Sequence, residues 1–274
     1  MADGAQGKTA LITGSTDGVG RAVAQRLGRE DFRVLVHGRD QARGDALVAE
    51  IVAAGGVAEF LRTDLAYLAE VRHLATAVER KTDRLDILVN NAGIGTAGAE
   101  RLTSADGYEL RFAVNYLAGF LLTRLLLPLL RRSAPARIVN VSSGGQQAID
   151  FDDVMLTRGY SGMRAYCQSK LAQILFTFDL AEELAGTGVT ATCLHPATYM
   201  DTTMVRRAGV KPWSSVGEGA DAIMNLARAP ALAGKSGLYF NGVNQAQANA
   251  QAYDRDARHR LRTLSLALTG LAPG

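Results

Sequence analysis

Short runs of aliphatic and β-branched residues alternate along this chain with longer stretches in which apolar residues recur every three to four positions. The short runs fall at 9–12, 33–36, 57–62, 85–89, 137–141, 189–194 and 237–240. None shows a polar face, which predicts strands covered on both sides. The longer stretches predict helices over 21–27, about 41–54, about 68–81, about 104–130, from before Tyr166 to about Leu184, about 219–227 and about 247–268. Strand and helix in strict alternation predict an α/β fold of Rossmann type. Its doubly wound parallel sheet would have about seven strands, with helices on both faces and one domain across residues 1–274. Two segments lack a period. Residues about 144–162 read as an irregular insertion, and about 199–216 as a lid over a ligand.

Composition narrows the partners. Lys+Arg 30 against Asp+Glu 27 leaves a net charge of only +3, with no dense basic run. Nucleic acid and acidic membrane surfaces are therefore poor partners, and small molecules good ones. Cys167 and Cys193 are too few for a disulfide framework. With the four histidines they show no ligand spacing, so no metal is expected. The stretch Met1 to Lys8 has no apolar signal core. The most apolar helical stretch, 120–130, is interrupted by Arg124 and too short to span a bilayer, so a cytoplasmic protein is expected. Gly7-Lys8-Thr9 mimics the end of a phosphate loop but no strand precedes it, and the glycosylation triplet Asn140-Val141-Ser142 lies in a buried strand.

The chemistry begins at Thr13-Gly14-Ser15-Thr16-Asp17-Gly18-Val19-Gly20, between the first strand and the first helix. Free N–H groups and the positive end of a helix dipole there suit a pyrophosphate. Gly14, Gly18 and Gly20 permit the turn, the approach of the phosphate and the packing of helix on strand. The spacing, G-x-x-x-G-x-G, is wider than the common G-x-G-x-x-G. Arg39 stands just past the end of the second strand, where a carboxylate would select the ribose hydroxyl of NAD and an arginine accommodates the 2′-phosphate of NADP. NADP(H) is thus favoured, with NAD(H) the other possibility. Ligands of such sheets collect at the carboxyl ends of the strands, where Gly14, Arg39, Asp64 and Asn90 all fall. Asn115 lies in an apolar helix, and its amide must be satisfied there. Tyr166 and Lys170, four apart on one helix, share a face.

Four signatures occur in order: Thr13-Gly14-x-x-x-Gly18-x-Gly20, Asn90-Asn91-Ala92-Gly93, Ser142-Ser143 at a strand end, and Tyr166-x-x-x-Lys170. With Asn115, they resemble the short-chain dehydrogenase/reductase family over essentially the whole chain. The wording from Ala165 to Phe176 and the extra length between Ser143 and Tyr166 look like the branch that holds retinol dehydrogenases, the WW-domain-containing oxidoreductase and protochlorophyllide reductase. The resemblance implies a catalytic set of Asn115, Ser143, Tyr166 and Lys170. It implies cofactor contacts from Gly14, Ser15, Thr16, Asp17, Gly18, Val19, Gly20, Arg39, Asp64, Leu65, Asn91, Ala92, Gly93, Tyr166, Lys170, Pro196 and Thr198. Asp64 would reach the adenine edge.

In that reading hydride moves between nicotinamide and a carbonyl or alcohol carbon. Ser143 holds the substrate oxygen, Tyr166 is the general acid/base, and Lys170 with the oxidised ring lowers its pKa. Asn115 would bind a water that passes protons to Lys170. The family further implies a homodimer or homotetramer built on the two helices that carry Asn115 and Tyr166. Two departures stand out: Ala197 follows Pro196 where relatives have glycine, and Asp17 stands where many NADP-using relatives have a basic residue. The alternative is a regulator or interaction protein that binds NADP(H) on the same fold without turnover.

Overall fold

A computed structural model describes residues 7–272, apart from Asp31 and Ala99; the amino-terminal stretch read for a signal core lies mostly outside these. The strands are β1 (Thr9–Ile12), β2 (Arg33–Gly38), β3 (Val57–Arg62), β4 (Ile87–Asn90), β5 (Ala136–Val141), β6 (Val189–His195), β7 (Leu238–Asn241) and β8 (Asn244–Gln245). They form one sheet in the order β3-β2-β1-β4-β5-β6-β7-β8. The first seven are parallel; β8 turns back antiparallel on β7. A two-residue strand carries no readable period, which is why the sequence predicts seven. The order reverses between β1 and β4, and at such a switch point the carboxyl ends of the strands open a crevice.

The sheet is apolar on both faces because successive side chains of a strand point to opposite sides. Leu11 and Leu88 join one core; Ala10, Ile12, Ile87 and Val89 join the other. The first core is closed by α3 (Leu68–Lys81), α4 (Ala118–Arg132) and α5 (Gly162–Glu183). The second is closed by α1 (Gly18–Arg29), α2 (Gln41–Ala53) and α7 (Val216–Arg228). Side-chain caps begin these helices where the sequence offers them. Asp17 accepts from the Gly18 N–H and Asp40 from that of Arg43, and Ser215 with Glu218 forms a full capping box.

The long helix differs from its sequence reading. Residues 103–109 form a turn closed by a bridge between Thr103 and Glu109. A π-helical turn, Phe112–Leu117, then precedes α4. Phe112–Arg132 together is 21 residues with mean hydropathy 1.6, long and apolar enough to cross a membrane, against the sequence expectation of a helix too short for it. It is 72% buried within the molecule, as a core helix is.

The carboxyl-terminal helix α8 (Arg255–Thr269) lies along α5. Arg262 and Arg258 pair with Asp179 and Glu182, and the Tyr116 and Ser265 hydroxyls share a hydrogen bond of 2.6 Å. Every residue from Cys167 to Leu180 is consequently buried within one chain.

Candidate active site

The glycine turn is held from behind by His37 of β2. The Gly14 N–H donates to its Nδ1 at 2.9 Å, and the Ser15 N–H donates to its carbonyl at 2.8 Å. The histidine therefore accepts at Nδ1 and is neutral; burial depresses its pKa to about 4. These two N–H groups are spent within the protein, and the Gly18 N–H is taken by Asp17 at 2.7 Å. Donors still open to an anion include those that begin α1, at Val19 and Gly20.

Each glycine has a separate reason. Gly14 has φ +63°, and a Cβ there would stand 2.8 Å from the Ala92 Cα. A Cβ on Gly20 would stand 2.4 Å from the Asn91 amide nitrogen, which braces the turn by donating to the carbonyls of Thr13 and Gly14. Thr13 completes this brace, its Oγ1 accepting from the N–H groups of Asn91 and Ala92.

Just past the end of β2, Arg39 is 68% exposed, with Nη1 3.7 Å from Asp64. Asp64 also accepts from the Ala66 N–H, and the Leu65 side chain is buried in the core, so only its backbone faces outward contacts. Asp17 is not an isolated negative charge: Arg43, from the first turn of α2, reaches to 3.5 Å of it. Thr16 packs against Gly38, where a Cβ would fall 2.7 Å from its hydroxyl.

The four residues expected to be catalytic converge at the carboxyl ends of β4 and β5. Ser142 donates to the Lys170 carbonyl at 2.7 Å and ties the end of β5 to α5. Next to it, Ser143 accepts from the Gly145 N–H at 3.0 Å, while its carbonyl receives Tyr239 and Gln146. A Cβ on Gly145 would stand 3.5 Å from Ser143 Oγ and 3.8 Å from the Tyr166 ring, so the two side chains line one side of the cleft, where Ser143 partly offsets the rise in phenol pKa that burial causes. The Lys170 ammonium stands 5.9 Å from the centre of the Tyr166 ring and donates to the Val141 carbonyl at 2.9 Å and to Gln173 Oε1 at 3.0 Å. Burial lowers its pKa to about 7. Burial holds the phenol above its ordinary value in the protein itself; the sequence expectation sets Lys170 and the oxidised nicotinamide ring together against that rise.

Asn115 lies in the π-helical turn, a distortion that often marks functional positions. Its amide is satisfied by both backbone groups of Ile94 and by Ser169 Oγ. Gly93 faces Asn115 and Lys170 together: a Cβ there would come within 3.3 Å of Asn115 Oδ1 and 3.4 Å of Lys170 Nζ.

Residues 199–216 lie across this cleft and include a short helix, α6 (Thr203–Arg207). Thr202 rests on Gly18 and Met204 on Gly95, one on each side of the crevice. The segment is pinned at Met200 and Ser214 by a β-bridge and by the edge contact of Tyr199 with Trp213, ring centres 5.3 Å apart. Pro196 is buried. Exposed Thr198 shares a 3.0 Å hydrogen bond with His195, whose ring lies against Gly144.

A glycine turn at the switch point, with Ser143, Tyr166 and Lys170 around one crevice, is the arrangement the motif order implied. The family model described as short chain dehydrogenase matches residues 8–212. The chain belongs to the short-chain dehydrogenase/reductase family. It is an oxidoreductase acting on CH–OH and C=O groups, and it falls in the branch of the retinol dehydrogenases. It is 38% identical to retinol dehydrogenase 13 of Homo sapiens over 285 residues, covering 97% of this chain and 85% of that one. Among solved structures it is similar to an uncharacterised protein of Mycobacterium paratuberculosis (TM-score 0.79, 29% identity, 96% and 94% of the two chains). It is also similar to RhlG of Pseudomonas aeruginosa in an NADP complex (TM-score 0.71, 29% identity, 86% and 95%).

Several site residues escape a reading by motif. His37 and Arg43 hold the turn and its charge from positions distant in sequence. Arg111 donates to the carbonyls of Gly95 and Ala97 and to Tyr160, tying the loop after β4 to the 144–162 insertion. An arginine in an apolar helical stretch was the available signal.

Proposed function

We propose that this chain is an NADP(H)-dependent oxidoreductase that moves a hydride between nicotinamide and a carbonyl or alcohol substrate, with Tyr166 as general acid/base. The observation that carries this reading is the convergence of the Ser143 and Tyr166 side chains at Gly145 beside a buried Lys170. Two hydroxyls from different elements stand there, so a substrate oxygen placed between them receives one bond for orientation and one proton. The cofactor supplies the hydride and, when oxidised, a positive ring that favours phenolate.

The residues fit that group. The first turn of α1 offers donors to a pyrophosphate, Gly14 and Gly20 keep side chains out of its seat, and exposed Arg39 offers a cation to the 2′-phosphate. RhlG, a similar structure, is described with NADP, which supports the same choice here. Arg43, 3.5 Å from Asp17 and 3.7 Å from Asp40, offsets part of the charge that Asp17 sets against a phosphorylated ribose. Ser143 orients the substrate oxygen, Tyr166 gives or takes the proton, and Lys170 holds a charge behind it. Asn115, held by Ile94, keeps the π-helical turn against Gly93 and Lys170.

The 144–162 insertion and the 199–216 lid would form the substrate side, and Met204, Tyr199 and Trp213 favour an apolar substrate there. We place the protein in the cytoplasm. A homodimer or homotetramer would have to use a surface other than α5, which α8 covers. Replacing Tyr166 by Phe tests the reading: carbonyl-dependent NADPH oxidation should collapse while NADPH still binds.

A further inference from the structure

Tyr166, Lys170 and Gln173 stand at i, i+4 and i+7 of α5 and so share one face. Lys170 and Gln173 are each 4% exposed. We propose that Gln173 is the positioning residue of the lysine, its side-chain carbonyl receiving the ammonium and keeping it charged in its place behind Tyr166. The inference rests on the reading of Lys170 given above.

Burying an ammonium is costly unless acceptors replace water, and Lys170 has two: the Val141 carbonyl and Gln173 Oε1. The groups that face it carry no compensating charge. From its own helix comes the Tyr166 ring, from β5 the Val141 carbonyl, from the π-helical turn the Asn115 amide, and from the end of β4 the backbone of Gly93. Burial is the sole cause of the lysine's depressed pKa, with no carboxylate working against it. A neutral amide dipole at 3.0 Å is therefore half of what stabilises the charge by direct contact. It also occupies one of the three N–H donors, which limits the directions left for the other two.

The backbone at Gln173 is itself fixed: its main-chain carbonyl accepts from Thr177 Oγ1 at 2.7 Å. That hydroxyl accepts from Asn140, Asn140 accepts from Asn90, and the Asn90 amide also donates to Thr123. This buried polar ladder locks the turn of α5 that holds Gln173 to β5, β4 and α4, more than ordinary helix packing requires.

The test is the titration of Lys170, followed in the full chain by the 13Cε shift of labelled lysine and assigned with Lys170→Met. It is paired with the pH profile of kcat/KM for carbonyl reduction. Losing one hydrogen bond to a charged group should move the Lys170 titration in Gln173→Leu down by about one pH unit or more. In Gln173→Glu the carboxylate should move it up, and this variant carries the test if the leucine variant does not fold. The alkaline limb of kcat/KM should follow both shifts. A titration unmoved in both variants, whatever the loss in rate, refutes the role of Gln173. A titration that moves while the limb stays still instead refutes the catalytic reading of Lys170, and with it any use of Gln173 in catalysis.

Discussion

The Gly14 N–H donates to Nδ1 of His37 at 2.9 Å, so a histidine of β2 fixes the backbone of the glycine turn from behind. Only neutral imidazole can accept there. Its pKa lies at about 4 in the fold against an ordinary value of 6.5. The unfolded chain therefore binds the extra proton over that interval. Stability from this group is complete above pH 6.5 and is lost as pH falls toward 4, by up to about 3 kcal/mol. Thermal unfolding from pH 7 to pH 4 should show this slope, and His37→Gln should flatten it. Equal slopes in the two proteins would contradict the assignment.

Arg39 faces solvent beside Asp64 at the edge where a 2′-phosphate would lie. Arg39→Ala should raise the Kd for NADPH by about 10- to 100-fold, the worth of one charge-assisted contact, and leave that for NADH nearly unchanged. Fluorescence titration with both nucleotides measures it; equal losses would remove the phosphate role.

Gly14 combines φ +63° with a contact of 2.8 Å from a hypothetical Cβ to the Ala92 backbone. Gly14→Ala should cost at least about 1–2 kcal/mol in stability from the left-handed conformation alone and weaken NADPH binding. Denaturant unfolding together with binding checks both.

Tyr116 and Ser265 join the π-helical turn to α8 through buried hydroxyls. Ser265→Ala strands the phenol and should destabilise the protein by about 1–3 kcal/mol. Tyr116→Phe with Ser265→Ala should recover part of that loss, read as the midpoint of denaturant unfolding.

The strands, the glycine turn and the serine, tyrosine and lysine of the site were legible because each is contiguous or periodic along the chain. Ser143 and Tyr166, 23 residues apart, both flank Gly145. What sequence could not show depends on partners far apart or on register. His37 is 23 residues from Gly14. The π-helical turn at 112–117 is a slip in hydrogen-bond register with no local residue signature, so that stretch reads as an uninterrupted helix from 104. Asp17 reads as an objection to NADP until Arg43, 26 residues on, is seen to reach it. Burial is likewise invisible in the sequence: it holds the Tyr166 phenol above its ordinary pKa, against which the expectation sets Lys170 and the oxidised ring together.

The account stands on Tyr166 as the proton donor, and the direct measurement is carbonyl-dependent NADPH oxidation by Tyr166→Phe alongside NADPH binding by the same protein. Turnover should fall by about 10²- to 10⁴-fold, the usual contribution of a general acid, with the Kd for NADPH within a few-fold of the parent. Turnover retained at the parent rate would contradict it.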